Sequence, residues 1–140
     1  MISKKNGPKV HSRVALAFLV VACALYLFWS NRRIDVSYYD IGIDDLPPEF
    51  SRFTIVQLSD LHDTRFGPNQ RRLIQTVLKA SPDLCVITGD LIRSKTKSPA
   101  AALELIRGLA QHHRVGFITG NHEWQHRDPK RIISSFSSAG

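Results

Sequence analysis

The sequence predicts an α/β protein with a parallel sheet, preceded by one membrane-spanning helix. Three short apolar runs, rich in β-branched residues, have the composition of buried strands, and they alternate with segments whose apolar residues recur at helical spacing. Elements in the order β-α-β-α-β-α form a parallel sheet through right-handed crossovers. An unbroken apolar run near the amino terminus predicts the membrane helix.

Positive charge is concentrated at the amino terminus. Residues 1–33 contain six lysines and arginines and no acid, whereas residues 34–140 contain 13 basic and 12 acidic side chains. The high isoelectric point therefore does not indicate a nucleic-acid-binding face, and we expect no nucleic-acid partner. The chain has two cysteines, which are too few for a disulfide framework.

The apolar run is Val14–Trp29, 16 residues with basic residues on both sides. It predicts a basic cytoplasmic tail at 1–13 and a transmembrane anchor or uncleaved signal at 14–30, because snorkelling arginines extend the reach of a short run. A removable signal peptide and, more loosely, a lipoprotein processing site at Val20–Cys23 are the alternatives. Four Lys/Arg precede the run and two follow it, which predicts a single-pass protein of the cell membrane with its amino terminus in the cytoplasm and its folded part outside.

The segment 31–52 is predicted to be a linker with an edge strand. Residues Arg33–Ile41 alternate apolar and polar side chains, which is the pattern of a half-exposed strand. Leu46–Phe50 contains two prolines and predicts a turn that leads into the folded domain, 53–140.

Within the folded domain, composition predicts the strands, and helical periodicity together with capping residues predicts the helices. The apolar strands begin at Phe53, Leu84 and Val115, and the helices begin near Asn69, Pro99 and Pro129. Ser98 is the predicted N-cap of the second helix, with Pro99 at its first position, and Asp128 opens the third helix in the same way. These signals set the alternation of strand and helix on which the fold class depends.

Polar side chains follow each of the three strands. Asp60 and His62 come after the first strand, Asp90 after the second, and Asn121 with His122 after the third. In open α/β sheets ligands bind beyond the carboxyl ends of the strands. One such residue alone would more often be a turn former or a helix cap, but three neighbouring strand ends together favour a metal site. Carboxylate, imidazole and amide ligands suit Mn, Fe or Zn rather than calcium.

These motifs carry a family resemblance. Ser-Asp60-Leu-His62, Thr-Gly89-Asp90 and Gly120-Asn-His-Glu123 resemble the first three motifs of the calcineurin-like metallophosphoesterases. The anchor and the Leu46–Phe50 lead-in resemble the membrane-anchored bacterial branch of that family. The resemblance implies that the parallel unit is half of a four-layer sandwich. It also implies a hydrolase for a phosphomonoester, a phosphodiester or a lipid-linked pyrophosphate, with a lipid or cell-envelope phosphate as one candidate substrate.

The resemblance implies a role for each matched residue. Asp60 and His62 would bind the first of two divalent ions, Asp90 would bridge both ions, and Asn121 would bind the second through its amide oxygen. His122 would bind no metal and would lie beside the phosphate as a proton donor or charge stabiliser. A hydroxide that bridges the two ions would attack phosphorus, and no other cofactor is implied.

The family pattern contains three further histidines, one lone and two in a Gly-His-x-His motif, that have no match after His126. We therefore expect this chain to be the amino-terminal portion of a longer enzyme, with a weak second metal position and an exposed apolar face on its sheet. A non-catalytic binding module or an inactive fragment on the same fold is the alternative. The intact ligand positions argue against that alternative.

Several polar residues near the motifs have two interpretations. Glu123 and Trp124 either support the ligands or belong to a packed loop. Asp63 and Arg65 either face the phosphate or lie in a surface loop. The remaining histidines of the folded domain are expected to be solvated: His112, His113 and His126.

Overall fold

The computed structural model describes residues 9–30 and 33–140. The chain divides into two compact units, Met1–Tyr39 and Asp40–Gly140. Lys4 and Lys5 of the predicted basic tail lie outside the described residues, and so does Arg32.

The first unit contains one long helix, α1, which covers Lys9–Ser30. Its segment Ser12–Ser30 has a mean hydropathy of 2.0 and no buried part, so by length and composition α1 is able to cross a membrane; a signal sequence meets the same description. At about 1.5 Å per residue the helix is roughly 33 Å long, which exceeds the hydrocarbon core of a typical bilayer. Helical residues before Val14 thus supply the length that the apolar run lacks.

The predicted edge strand over Arg33–Ile41 is wrong. Residues 33–43 form no strand, and Tyr38 and Tyr39 are 81% and 83% exposed. No strand within residues 33–140 pairs with this segment. An alternating pattern forms a strand only where a neighbour accepts and donates the ladder hydrogen bonds, so here the pattern alone is insufficient.

The second unit contains a three-stranded parallel sheet whose strands follow chain order, as predicted. The strands are β1 (Ile55–Leu58), β2 (Leu84–Ile87) and β3 (Arg114–Phe117). In register, Leu58 lies beside Ile87, which lies beside Phe117. The carboxyl ends of the strands are therefore level, and each strand stops before its polar motif. The first two motifs lie on loops and the third begins the short helix Asn121–Trp124, all at one edge of the sheet.

The helices of this unit alternate with the strands. They are α2 (Arg71–Lys79), α3 (Ala100–Ala110), a short α4 (Asn121–Trp124) and α5 (Pro129–Ser137). Asp128 caps α5 as predicted, because its Oδ1 accepts the Arg131 N–H at 3.2 Å. The predicted cap at Ser98 is wrong by one residue: the Leu103 N–H donates to the Pro99 carbonyl, so Pro99 holds the cap position of α3.

One face of the sheet is covered and the other is open. On the covered face, Cys85 and Ile87 are 0% and 1% exposed. On the opposite face, Ile55 is 55% exposed, and Ile118, which directly follows β3, is 63% exposed. The expectation of an exposed apolar sheet face is confirmed for the described residues.

A buried glutamine orders the loop that follows β1. The Gln70 side chain is 0% exposed; it accepts the Phe66 N–H at 2.9 Å and donates to the carbonyls of Thr64 (2.8 Å) and Ala101 (3.3 Å). Both ends of its amide are thus satisfied, as a buried polar group requires. The loop after the first motif is thereby tied to the start of α3.

Candidate metal centre

The loops after β1 and β2 run side by side beyond the end of the sheet. The N–H groups of Asp60 and His62 donate to the carbonyls of Gly89 (3.2 Å) and Asp90 (3.0 Å). Asp60, His62 and Asp90 have positive φ angles of 57°, 47° and 53°. Asp and His are enriched among the few residue types found in this left-handed region, and residues held there cluster at functional sites. Three of the predicted site residues thus share an uncommon backbone conformation.

Two glycines allow the loops after β2 and β3 to touch backbone to backbone. A Cβ on Gly89 would lie 2.4 Å from the Gly120 nitrogen, and a Cβ on Gly120 would lie 2.2 Å from Asp90 Oδ1. Gly89 also has a φ of +98°, which glycine adopts without steric cost. Any side chain at either position would push the two loops apart and move Asp90.

The buried side chain of Glu123 is hydrogen-bonded to the backbone of both of these loops. Its side chain is 0% exposed. Oε2 accepts the N–H groups of Asp90 (2.9 Å) and Gly120 (2.8 Å), and Oε1 accepts the N–H of Ile92 (3.3 Å). Hydrogen bonds to a carboxylate are among the stronger ones. Of the two interpretations of Glu123, the structure favours support of a predicted ligand, because the carboxylate fixes the backbone of Asp90.

His62, Asp90 and His122 converge at this edge of the sheet. One ligand atom of each lies within 4.8 Å of the other two, and the rings of His62 and His122 are 4.7 Å apart between centroids. His62 Nδ1 is buried without a hydrogen-bond partner, a state that is costly for a polar atom unless a ligand engages it. By chemistry, two imidazoles and a carboxylate could hold a divalent transition-metal ion, although the family resemblance assigns only His62 and Asp90 of the three to a metal.

The orientation of His122 is set by two backbone contacts. The backbone N–H of His122 donates to Asp90 Oδ1 at 2.9 Å, and its ring nitrogen Nδ1 accepts the backbone N–H of Ser94 at 3.0 Å. With Nδ1 as acceptor, the neutral ring carries its proton on Nε2. The sequence could not indicate this contact, because a backbone N–H donor has no residue signature.

The other two predicted ligands are less constrained. Asp60 lies close to the cluster, with Oδ1 3.6 Å from His62 Nε2, but 64% of its side chain is exposed; its Oδ2 accepts the Ser59 hydroxyl. Asn121 is the exposed first residue of α4, and its carboxamide forms no hydrogen bond with any residue in the described part of the chain. The ligand roles of Asp60 and Asn121 stay predictions.

The structure assigns other contacts to the polar residues near the motifs. Arg65 pairs with Glu104, which supports the surface-loop interpretation. Asp63 is half-buried, and its Oδ2 accepts the backbone N–H of Arg93 at 3.1 Å. The expectation that His126 is solvated is wrong: the ring is half-buried, with Nε2 2.9 Å from the Thr96 carbonyl. A histidine in a loop gives no sequence signal for such a distant partner.

The three remaining side chains of this group lie at or near the surface. The Trp124 side chain is mostly exposed and donates its indole N–H to the Thr119 hydroxyl at 2.8 Å. His112 is exposed and His113 is half-buried; neither ring forms a hydrogen bond with a residue that the structure describes.

Comparison with known proteins decides the family. A model of the calcineurin-like phosphoesterases matches residues 53–138. The chain belongs to this family. The predicted resemblance is confirmed, and the parallel α/β unit agrees with it. Members of this family are metal-dependent enzymes that act on phosphate esters, which agrees with the cluster of His62, Asp90 and His122.

Curated relatives include membrane proteins. The transmembrane protein with metallophosphoesterase domain of Bos taurus is 31% identical over 127 residues, which covers 86% of this chain and 28% of the relative; the Danio rerio protein of the same name is 30% identical, with 72% and 24% covered. The UDP-2,3-diacylglucosamine pyrophosphatase LpxG of Chlamydia muridarum is 30% identical over 123 residues, with 82% and 37% covered. The chain therefore spans 24% to 37% of the length of these relatives. No solved structure matches.

Proposed function

We propose that this chain carries the first three motifs of an enzyme that hydrolyses a phosphate ester with two divalent metal ions. The observation that supports this most directly is the convergence of His62, Asp90 and His122 at the edge of the sheet, in a chain of this family. The left-handed backbone of the motif residues and the buried Glu123 beneath them support a preorganised site.

In this proposal Asp60 and His62 would hold the first ion, Asn121 would hold the second, and Asp90 would serve both. Two bound ions supply charge neutralisation of the phosphoryl group and activation of the attacking water. The chain's own part is to hold the ligands: Glu123 fixes the backbone of Asp90, and the backbone N–H of His62 donates to the Asp90 carbonyl, which holds the two residues side by side. Mn, Fe and Zn suit this donor set.

His122 acts in this proposal on the substrate. Because the Ser94 N–H donates to Nδ1, Nε2 carries the proton of the neutral ring and is the nitrogen left for a ligand. A protonated Nε2 donates a hydrogen bond to a phosphoryl oxygen and stabilises charge that develops in the transition state, or it protonates the leaving group. The same nitrogen would have to lose its proton to bind a metal, so the two roles are distinguishable.

The experiment that tests these roles combines metal removal with one substitution. After chelation and dialysis, the protein should hydrolyse a chromogenic phosphodiester only when Mn²⁺ is added back. His122→Ala should bind the same number of Mn²⁺ ions as the wild type while its turnover falls on the order of a hundredfold or more. A loss of one bound ion in His122→Ala would make His122 a ligand and refute its assigned role. Tight Mn²⁺ binding without any turnover would support the non-catalytic module instead.

Among the three substrate classes, we favour a lipid-linked pyrophosphate. The chlamydial relative is named as a pyrophosphatase of a diacylated nucleotide sugar, and α1 would keep the domain near a membrane. The excess of Lys/Arg before the apolar run supports a location of the domain outside the cytoplasm. Protease added to intact cells with a permeabilised outer layer should digest the domain; digestion only after lysis would reverse this orientation.

A further inference from the structure

Arg93, in the loop after β2, is fixed beside the candidate metal cluster. Its Nε–H donates to the His62 carbonyl at 3.1 Å, and its backbone N–H donates to Asp63 Oδ2 at 3.1 Å. His62 is one of the three clustered residues. Arg93 is thus attached to the loop of the first motif by its backbone and by its side chain.

The rest of the Arg93 loop is also held by the motif loops. The Ser94 N–H donates to His122 Nδ1. Thr96 donates its hydroxyl to Asp63, and its carbonyl lies 2.9 Å from His126 Nε2. These contacts come from the loops after β1 and β3, so the position of Arg93 is set before any ligand binds. Preorganisation of this kind lowers the entropic cost of binding.

The guanidinium of Arg93 has no acidic partner within residues 33–140. Arg65, by contrast, is paired with Glu104. None of the nearby carboxylate oxygens pairs with it: Asp63 Oδ2 accepts two bonds from this loop, Asp63 Oδ1 is buried without a hydrogen-bond partner, and Asp90 Oδ1 accepts a backbone N–H. Arg93 is exposed. A guanidinium has five N–H donors, so four are left for a ligand next to the cluster.

We propose that Arg93 binds a second anionic group of the substrate, namely the phosphoryl group joined to the one that is cleaved. This inference rests on the proposed function and assigns diphosphate esters as the preferred substrate class. Arginine pairs with phosphate through two parallel N–H···O bonds, and the bond from Nε to the His62 carbonyl holds the guanidinium next to the first motif. An ester with one phosphoryl group places that group at the metal cluster and leaves Arg93 without an anion.

The test uses two substrates that differ by one phosphoryl group, the methyl ester of UMP and the methyl ester of UDP, both of which release UMP. With the Mn²⁺-loaded protein, Arg93→Met should raise KM for the UDP ester about tenfold or more, the loss expected for a charge-assisted pair. KM for the UMP ester and kcat for both esters should change by less than about twofold. Arg93→Lys keeps the charge without the fork and should recover only part of the loss.

Arg107→Met is the matched control. Arg107 is exposed on the last turn of α3, and its side chain forms no hydrogen bond or ion pair with a residue that the structure describes. Its loss changes the net charge equally and should leave KM for both esters unchanged. Thermal unfolding shows whether each variant is folded. If Arg93→Met is unfolded, the KM values of Arg93→Lys are compared with those of the wild type instead.

Each outcome is decisive. An equal rise in KM for both esters, or no rise for either, would overturn the assignment of Arg93. If the wild type hydrolyses neither ester, the proposed function fails, and both esters then serve as ligands in calorimetric titrations. Tighter binding of the UDP ester that disappears in Arg93→Met would still support the Arg93 assignment, and equal binding of the two esters by the wild type would overturn it.

Discussion

The middle strand and the outer strands differ in how firmly they hold the residues that follow them. On β2, Cys85 and Ile87 are almost fully buried, and the backbone of Asp90 beyond the strand is bonded to the buried Glu123. Asp60, after β1, has 64% of its side chain exposed. The protein therefore orients the central carboxylate before any ion binds, whereas the outer carboxylate has no comparable support among residues 33–140.

The largest expected effect concerns Asp90, and it tests whether the better-oriented carboxylate contributes more to turnover than Asp60 does. Asp90→Asn keeps the shape and one acceptor oxygen but removes the charge that would bridge two ions. Residues that merely orient ligands contribute about 10–100-fold, so loss of this ligand should lower phosphodiester turnover more than a hundredfold. Asp60→Asn should lower it less. Mn²⁺ titration and steady-state rates measure both, and a larger loss in Asp60→Asn would contradict the comparison.

A second substitution removes the support while leaving every predicted ligand in place. Glu123→Gln replaces a carboxylate that accepts three N–H groups with an amide that presents donors to some of them. We expect the free energy of unfolding to fall by about 2–3 kcal/mol and Mn²⁺ affinity to fall about 10–100-fold. Urea unfolding and Mn²⁺ titration report the two quantities.

Glu104→Gln is the control for that substitution. Glu104 pairs with Arg65 near the surface, where such pairs contribute under about 1 kcal/mol. Equal losses of stability in the two variants would show that Glu123 supports the loops no more than a surface ion pair does.

The contact between the loops after β2 and β3 can be tested with one methyl group. Gly120→Ala places a Cβ 2.6 Å from the Asp90 nitrogen, and crowding of this kind costs about 1–3 kcal/mol. Gly116→Ala is the counterpart on β3, where the nearest atom would be 3.9 Å away; it should be neutral or slightly stabilising. Urea unfolding of both variants compares them, and equal stabilities would mean that the loops separate without cost.

The smallest expected effect concerns the buried core of the middle strand. Burial raises the pKa of the Cys85 thiol, so on raising the pH the thiol ionises first in the unfolded chain. The free energy of unfolding should therefore fall above about pH 9, by at most about 1.4 kcal/mol per pH unit, and should not depend on the ionisation of this thiol at lower pH. Cys85→Ala should lose this part of the slope, whereas Cys23→Ala should keep it; identical slopes in both variants would contradict the burial effect.

The order of strands and the positions of the motifs were predictable because both depend on local patterns. Apolar runs such as Leu84–Ile87 form strands wherever a neighbour is present, and a parallel order places all strand ends at one edge. The convergence of His62, Asp90 and His122 follows from that order.

The supporting contacts were not predictable because they depend on tertiary neighbours. Glu123 is buried only because three backbone N–H groups from two loops meet there, and the role of Gln70 depends equally on its three partners. The reverse error occurred at Arg33–Ile41, where a strand-like pattern lacks a partner strand. Local sequence patterns contain no information about these distant groups.

The meeting of Gly89 and Gly120 has a consequence for redesign of the centre. Main-chain atoms of the two turns are in contact. The distance between the second and third motifs is therefore set by the backbone, and substitutions of side chains cannot adjust it in small steps. Attempts to change the preferred ion should therefore begin with substitutions of Asp60 and Asn121, whose side chains are exposed. Gly89 and Gly120 should be left unchanged.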